Sequence, residues 1–148
     1  IGGSTANLTW DDFIPIIPFT ILGIFICLMI SNRLHVLVLG DTIAKTLGVN
    51  SKQTRLFAII AAAILSGASV NIVGSIGLLG LITPHITRII VGNNVKTILL
   101  YSIPFGSLIM IYSDQISRLV FMPYEVPVGL VITIIGAPIM IYLAWRHL

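Results

Sequence analysis

The chain has 148 residues, 57% of them hydrophobic and only 9% charged, with a mean hydropathy of +1.08. A soluble domain carries about 25% charged residues, so a soluble core of this size is excluded and the bilayer must solvate much of the apolar surface. The formal net charge of +3 is modest and gives no sign of a nucleic-acid partner.

The chain opens on a polar, turn-forming stretch, Gly2-Gly3-Ser4-Thr5-Ala6-Asn7. Ile1 is not an initiator and no basic region precedes the first apolar run, so the sequence reads without a signal peptide and as a piece of something longer. From Phe13 to Ile30 the chain is uncharged and apolar. That run is long enough to cross about 30 Å of hydrocarbon with little tilt. Asp11 and Asp12 precede it, Arg33 follows it, and Pro15 and Pro18 fall in its first turns, where proline costs a helix least. Cys27, the single cysteine, sits inside this run. It excludes a disulfide framework or cysteine metal cluster and reads as a small buried apolar residue.

Residues 34–55 are mixed and form a structured loop rather than a span. Leu34, Leu37 and Leu39 lead to Gly40 and Asp41, after which Ile43, Ala44 and Leu47 follow a helical pattern. Asp41 or Thr42 is expected to cap this short helix, Gly48 to stop it, and Asn50-Ser51-Lys52 to begin the next segment. Residues 56–87 carry no charge. As one helix they would extend about 48 Å, too far for one crossing, so two short crossings with a break near Asn71 to Ser75 are predicted. The first is rich in small residues (Ala58, Ala61, Ala62, Ala63, Ser66, Gly67), which allow close helix approach. The second holds Gly77, Gly80 and Pro84 and is expected to be irregular or kinked. Spans over 97–113 and 126–145 complete the set, separated by a loop from Asp114 to Pro127. The predicted fold class is therefore all-α, a polytopic bundle of about five spans in a single domain, residues 1–148.

Threaded through a bilayer, these spans sort the charges. Arg33, Lys45, Lys52, Arg55, Arg88, Lys96 and Arg146 fall on one side and Arg118 alone on the other. The positive-inside bias makes the first side cytoplasmic.

Each candidate site has a functional and a plain reading. The loop 34–55 either docks a soluble partner or is a solvated connector. Arg118 either meets an acidic partner outside or pairs locally with Asp114, four residues back, or snorkels to headgroups. His85, beside Pro84, is an ionisable group at membrane depth and so a default functional candidate. The cheaper reading has it bonding a carbonyl freed by the proline. Gly129, Gly136 and Pro138 in the last span mark close packing or a flexible pore wall, with packing preferred. Catalytic and nucleotide-binding motifs are absent from the sequence, which points to no catalytic residue, cofactor or metal.

Four ordered stretches carry a resemblance. Leu34 to Gly48 is similar to a pattern L-x-x-L-x-L-G-D/E-x-x-A-x-x-L-G, and Gly77 to Arg88 to G-x-x-G-L-x-x-P-H-x-x-R. Asp114 to Arg118 is similar to D-x-x-A-R, with Ser117 in place of the usual alanine. Glu125, Pro127 and Gly129, followed by Gly136 and Pro138, resemble an E-L/I-P-V-G…G-A-P ending. Gly2-Gly3 with Trp10 fits the exterior loop before the sixth span of the same proteins. Together these resemble the membrane permeases of ATP-driven importers for iron–siderophores, haem and cobalamin, the FecCD transport family.

The resemblance implies a permease of about ten spans, of which this chain matches spans six to ten, the C-terminal half. It implies a second permease subunit, an ATP-binding subunit beneath and an extracytoplasmic solute-binding protein above, in a bacterial plasma membrane. Residues 40–52 then fall on the coupling segment, with Leu39, Gly40, Asp41, Ala44, Leu47 and Gly48 as its signature. Arg118 corresponds to an exterior arginine that meets the binding protein. Pro84, His85, Glu125, Pro127, Gly129, Gly136 and Pro138 are structural motif positions. Iron–siderophore complexes are the favoured cargo, with haem and cobalamin behind. The rivals are a channel and a membrane-embedded enzyme or proton carrier using His85 and Asp114.

Overall fold

The computed structural model describes residues 8–73, 77–124 and 126–147. Gly2, Gly3 and Glu125, named above, lie outside the described residues. The described residues form seven helices and no strand. A one-turn helix α1 (Trp10–Phe13) precedes α2 (Ile17–Val38). The Asp12 carboxylate closes the entry by accepting from the Thr9 amide at 3.0 Å and its hydroxyl at 2.9 Å. Pro18 sits in the first turn of α2, where its missing N–H leaves no bond unmade.

Helix α2 continues past Ile30 through Arg33 and His35 to Val38, so residues 34–38 are helix and not loop. A charge ends the part of a span that hydrocarbon can hold; it does not end the helix, whose last turns project into headgroups and water. The short helix α3 covers Asp41–Thr46, and α4 runs Ser51–Val73. The side-chain oxygen of Asn50 caps α4 by accepting from the Gln53 amide at 3.3 Å. This crossing is therefore full length, starting earlier than its apolar run. Helix α5 (Gly77–Val91) passes through Pro84 without a break, as does α6 (Val95–Val120) through Pro104. The fourth span therefore includes Asp114 and Arg118, which were expected in a loop. Helix α7 covers Val128–His147.

Among the described residues four helical segments are long and apolar enough to cross a membrane: Trp10–Val38, Ser51–Ile72, Val95–Val120 and Val128–Arg146. The fifth apolar helix, α5, has 15 residues, about 22 Å at 1.5 Å per residue, and is shorter than the hydrocarbon layer.

Glycines set the closest approaches. A Cβ on Gly23 of α2 would stand 2.6 Å from Leu65 Cγ of α4. A Cβ on Gly136 of α7 would overlap the Ile82 and Leu78 side chains of α5. Thr83 lies against Gly106, and the Ser102 hydroxyl is 3.5 Å from that of Thr87, so α5 and α6 pack antiparallel. The interior hydroxyls of Ser31, Thr54 and Thr87 each donate to a carbonyl of the preceding turn, which satisfies them where no water reaches. The accessible surface is 10256 Å². A globular monomer of 16.0 kDa exposes about 7,400 Å². The excess is apolar helix surface, which lipid or further protein must cover.

Candidate functional site

The cation-rich end is built around an elbow between α2 and α4. Gly40 enters it at φ 120°, a conformation open to glycine and strained for other residues. Gly40, not Asp41 or Thr42, occupies the cap position, and no side-chain cap is made there. Asp41 is instead the first residue of α3. Its carboxylate accepts from Arg55 Nη2 at 3.0 and 3.1 Å, tying α3 to the first turns of α4. The exit is a Schellman turn: the Val49 amide donates to Ala44 O at 2.8 Å, the Gly48 amide donates to Lys45 O at 3.1 Å, and Gly48 stands at φ 76°.

This frame sorts the side chains of α3. Ala44 is fully buried, at 0% exposure, and seats the helix on its neighbours. Leu39, Ile43 and Leu47 are 57%, 45% and 63% exposed. Ile43 and Leu47 are one turn apart on α3, and Leu39, at the end of α2, adds exposed apolar surface on the other side of the Gly40 turn. From sequence, Ile43 was read only as part of the helical pattern and Arg55 only as a cytoplasmic cation. The 43–47 spacing was readable; the Arg55 partnership needs the folded hairpin.

The opposite end holds Arg118. Its Nε donates to Asp114 Oδ2 at 3.0 Å, one turn back along α6. Its terminal nitrogens have no partner among the described residues, and the side chain is 56% exposed. Ser117, where the resemblance expects alanine, is buried and donates its hydroxyl to Val126 O at 2.6 Å, fastening the turn between α6 and α7. Pro127 O accepts the Leu130 amide as α7 begins, and Gly129 O accepts from the Thr133 hydroxyl at 2.7 Å. From Lys96 to Arg118 along α6 is about 33 Å at 1.5 Å per residue, so the two ends stand a membrane thickness apart.

His85 is half-buried on α5 and lines a cavity against α7 with Arg88 and Leu143. The register fixed by Thr83 on Gly106 and Thr87 on Ser102 sets His85 level with Pro104. Asp114 is about ten residues further along α6, about 15 Å in height. The two do not share a level, as a proton relay between them requires. Pro138 is exposed on α7, whereas Gly136 is buried in its contact with α5. Among the described residues no group of three His, Cys, Asp or Glu can hold a metal ion.

A bundle of apolar helices of membrane-crossing length, with cations gathered at one end and an ordered elbow there, defines a multi-pass helical membrane protein. The chain belongs to the FecCD transport family, whose model matches residues 1–146. It is 42% identical over 142 residues to the Fe(3+)-citrate import system permease protein YfmD of Bacillus subtilis (strain 168), covering 96% of this chain and 43% of that protein. It is 30% identical over 147 residues to the Fe(3+) dicitrate transport system permease protein FecC of Escherichia coli (strain K12), covering 99% and 44%. A solved metal-chelate type ABC transporter in an inward-facing conformation superposes with a TM-score of 0.89 at 33% identity, covering 97% of this chain and 48% of that one. The chain thus spans under half the length of these proteins. The two named relatives are permease proteins of import systems.

Proposed function

We propose that residues 1–148 form the C-terminal half of the permease subunit of an ATP-driven importer in the bacterial plasma membrane, with an iron chelate of siderophore or citrate type as cargo. The observation that carries this reading is the elbow. A short helix fixed at both ends by glycine turns, pinned to α4 by Asp41–Arg55 and presenting Leu39, Ile43 and Leu47, suits contact with a soluble subunit beneath the membrane. Exposed apolar residues on a rigid element are the usual seat of binding energy at a protein interface. Force applied there passes directly into α2 and α4, which continue from it across the bilayer. ATP-driven closure of such a partner would tilt the two helices as a unit and change which side of the pathway is open.

Arg118 supports a second contact, on the outside. Its Nε is held by Asp114 while its terminal nitrogens face outward, so the local pair positions the guanidinium for an acidic side chain of a solute-binding protein. A second permease subunit completes the pathway. The names of the relatives favour iron chelates over haem or cobalamin.

The test is uptake in cells deleted for the gene, with labelled ferric citrate, a ferric hydroxamate, haem and cobalamin offered in parallel. One iron chelate should fail to enter. The intact gene should restore it, and an Ile43→Asp/Leu47→Asp variant should not, although that variant still accumulates in the membrane. Normal entry of every cargo in the deletion strain, or full rescue by the double variant, would overturn the proposal.

A further inference from the structure

The inner ends of α5 and α7 enclose a cavity of about 390 Å³, lined among others by Arg88, Ile89, Asn93, Met140 and Leu143. None of the roles above uses it. We propose that it binds the headgroup of an anionic phospholipid of the inner leaflet, with Arg88 on the phosphodiester and an acyl chain against Met140 and Leu143.

The helix register orders its lining by height. Helices α5 and α7 run parallel, and Gly136 against Leu78 and Ile82 sets their register. Met140 consequently lies about one turn deeper in the membrane than Arg88, whereas Leu143 stands level with Arg88. Arg88 and Asn93 stand at its water end, and Met140 lies beside His85 at the deeper end.

Charge identifies the headgroup. Arg88 has no ion pair among the described residues. The one described carboxylate at this end, Asp41, is already bonded to Arg55. The Arg88 guanidinium is thus open to an anion from outside the described chain, and a phosphodiester matches the guanidinium fork. Beside it the turn at Gly92 and Asn93 leads into α6, where Asn94 accepts from the Lys96 amide. The positive end of that long helix and the Lys96 ammonium add to the attraction. Tyr142, Trp145 and Arg146 line a separate opening at the same end on the other face of α7. Aromatic and basic residues together mark the headgroup level of a bilayer, and basic pockets between spans on the cytoplasmic side suit anionic lipid.

The experiment takes the full gene product into nanodiscs of phosphatidylcholine with a minor share of phosphatidylglycerol. The lipid that stays bound through detergent extraction is then weighed by mass spectrometry. Phosphatidylglycerol should be enriched over its share in the bilayer. Arg88→Gln should lower that enrichment about five-fold, the contribution of one arginine at an anionic surface. Asn93→Asp, a carboxylate set in an exposed turn, should lower it in the same direction without touching helix packing. Lys45→Gln, on the same face but remote from the cavity, should leave it unchanged. Equal enrichment in Arg88→Gln and the parent overturns the proposal. So does an equal fall in Lys45→Gln, which would mean diffuse surface charge. Displacement of the lipid by inorganic phosphate at matched concentration overturns it too, since the site would then serve a soluble anion.

Discussion

The two ends of the bundle hold their functional side chains by different means. At the inner end the backbone does the holding: glycines at φ 120° and 76° bracket α3, amide bonds close its exit, and the Asp41–Arg55 pair lies on top of that frame. At the outer end one pair four residues apart on α6 holds Arg118, with Ser117 bonded to Val126 behind it. The inner end presents apolar surface in a fixed orientation and the outer end presents a charge that can re-aim. A contact that must transmit force needs the first arrangement; one that must form and release a docked partner is served by the second, because exposed pairs are weak and screened by salt.

The contrast depends on the middle of the molecule carrying motion between the ends as one body. Gly136→Val attacks that directly, since its Cβ has no room between Ile82 and Leu78. Overpacking of this kind costs about 1–3 kcal/mol. The expected result is a lower melting temperature of the purified protein in detergent and loss of uptake, with both ends affected together. Parent-like melting would mean that α5 and α7 can part without consequence.

The next largest effect separates backbone from charge at the inner end. Gly48→Val forces a β-branched residue into left-handed geometry, at about 1–2 kcal/mol. It should abolish association with the ATP-binding subunit while leaving the outer contact intact. Asp41→Asn removes only an exposed pair, whose side chains are 52% and 60% accessible, and should cost under about 1 kcal/mol. Association measured for both variants decides the matter. Equal damage from the two would mean that charge, not the turn, fixes the elbow.

Much of this was legible in the sequence, for reasons that particular residues make plain. The sorting of cations to one end follows from solvation alone, and the exit of α3 at Gly48 from the need for a residue that accepts positive φ. The stop at Gly48 falls where expected, whereas α4 stays helical through Asn71 to Val73, where the break was expected to begin. What misled was treating charge as a boundary. Arg33, Asp114 and Arg118 all lie inside helices, because helix ends outlast the hydrocarbon and because a pair one turn apart stabilises the helix that carries it. Asp41 was expected to cap α3, but Gly40 takes that position and frees the carboxylate for Arg55. Local spacing held no sign of that partner, which arrives only when α2 and α4 fold into a hairpin. Ile43 was within reach of a four-residue count back from Leu47. The α5–α7 cavity was not, since it depends on a parallel register set by one glycine.

The smallest expected effect is the one that tells the two ends apart most finely. Arg118→Gln removes the guanidinium and leaves Asp114 without that partner; Arg118→Glu adds a like charge one turn from it. On the helix itself these changes amount to about 0.2–0.5 kcal/mol, so melting should barely move in either variant. If the terminal nitrogens of Arg118 meet acidic groups of a binding protein, docking measured at low salt should weaken in the order parent, glutamine, glutamate. The three should converge as ionic strength rises and the Debye length falls below about 10 Å. Association with an ATP-binding subunit, if seated on Leu39, Ile43 and Leu47 as proposed, should show no such dependence, because that surface is apolar. A docking affinity that ignores both substitution and salt would assign Arg118 to Asp114 alone and remove the outer half of the comparison.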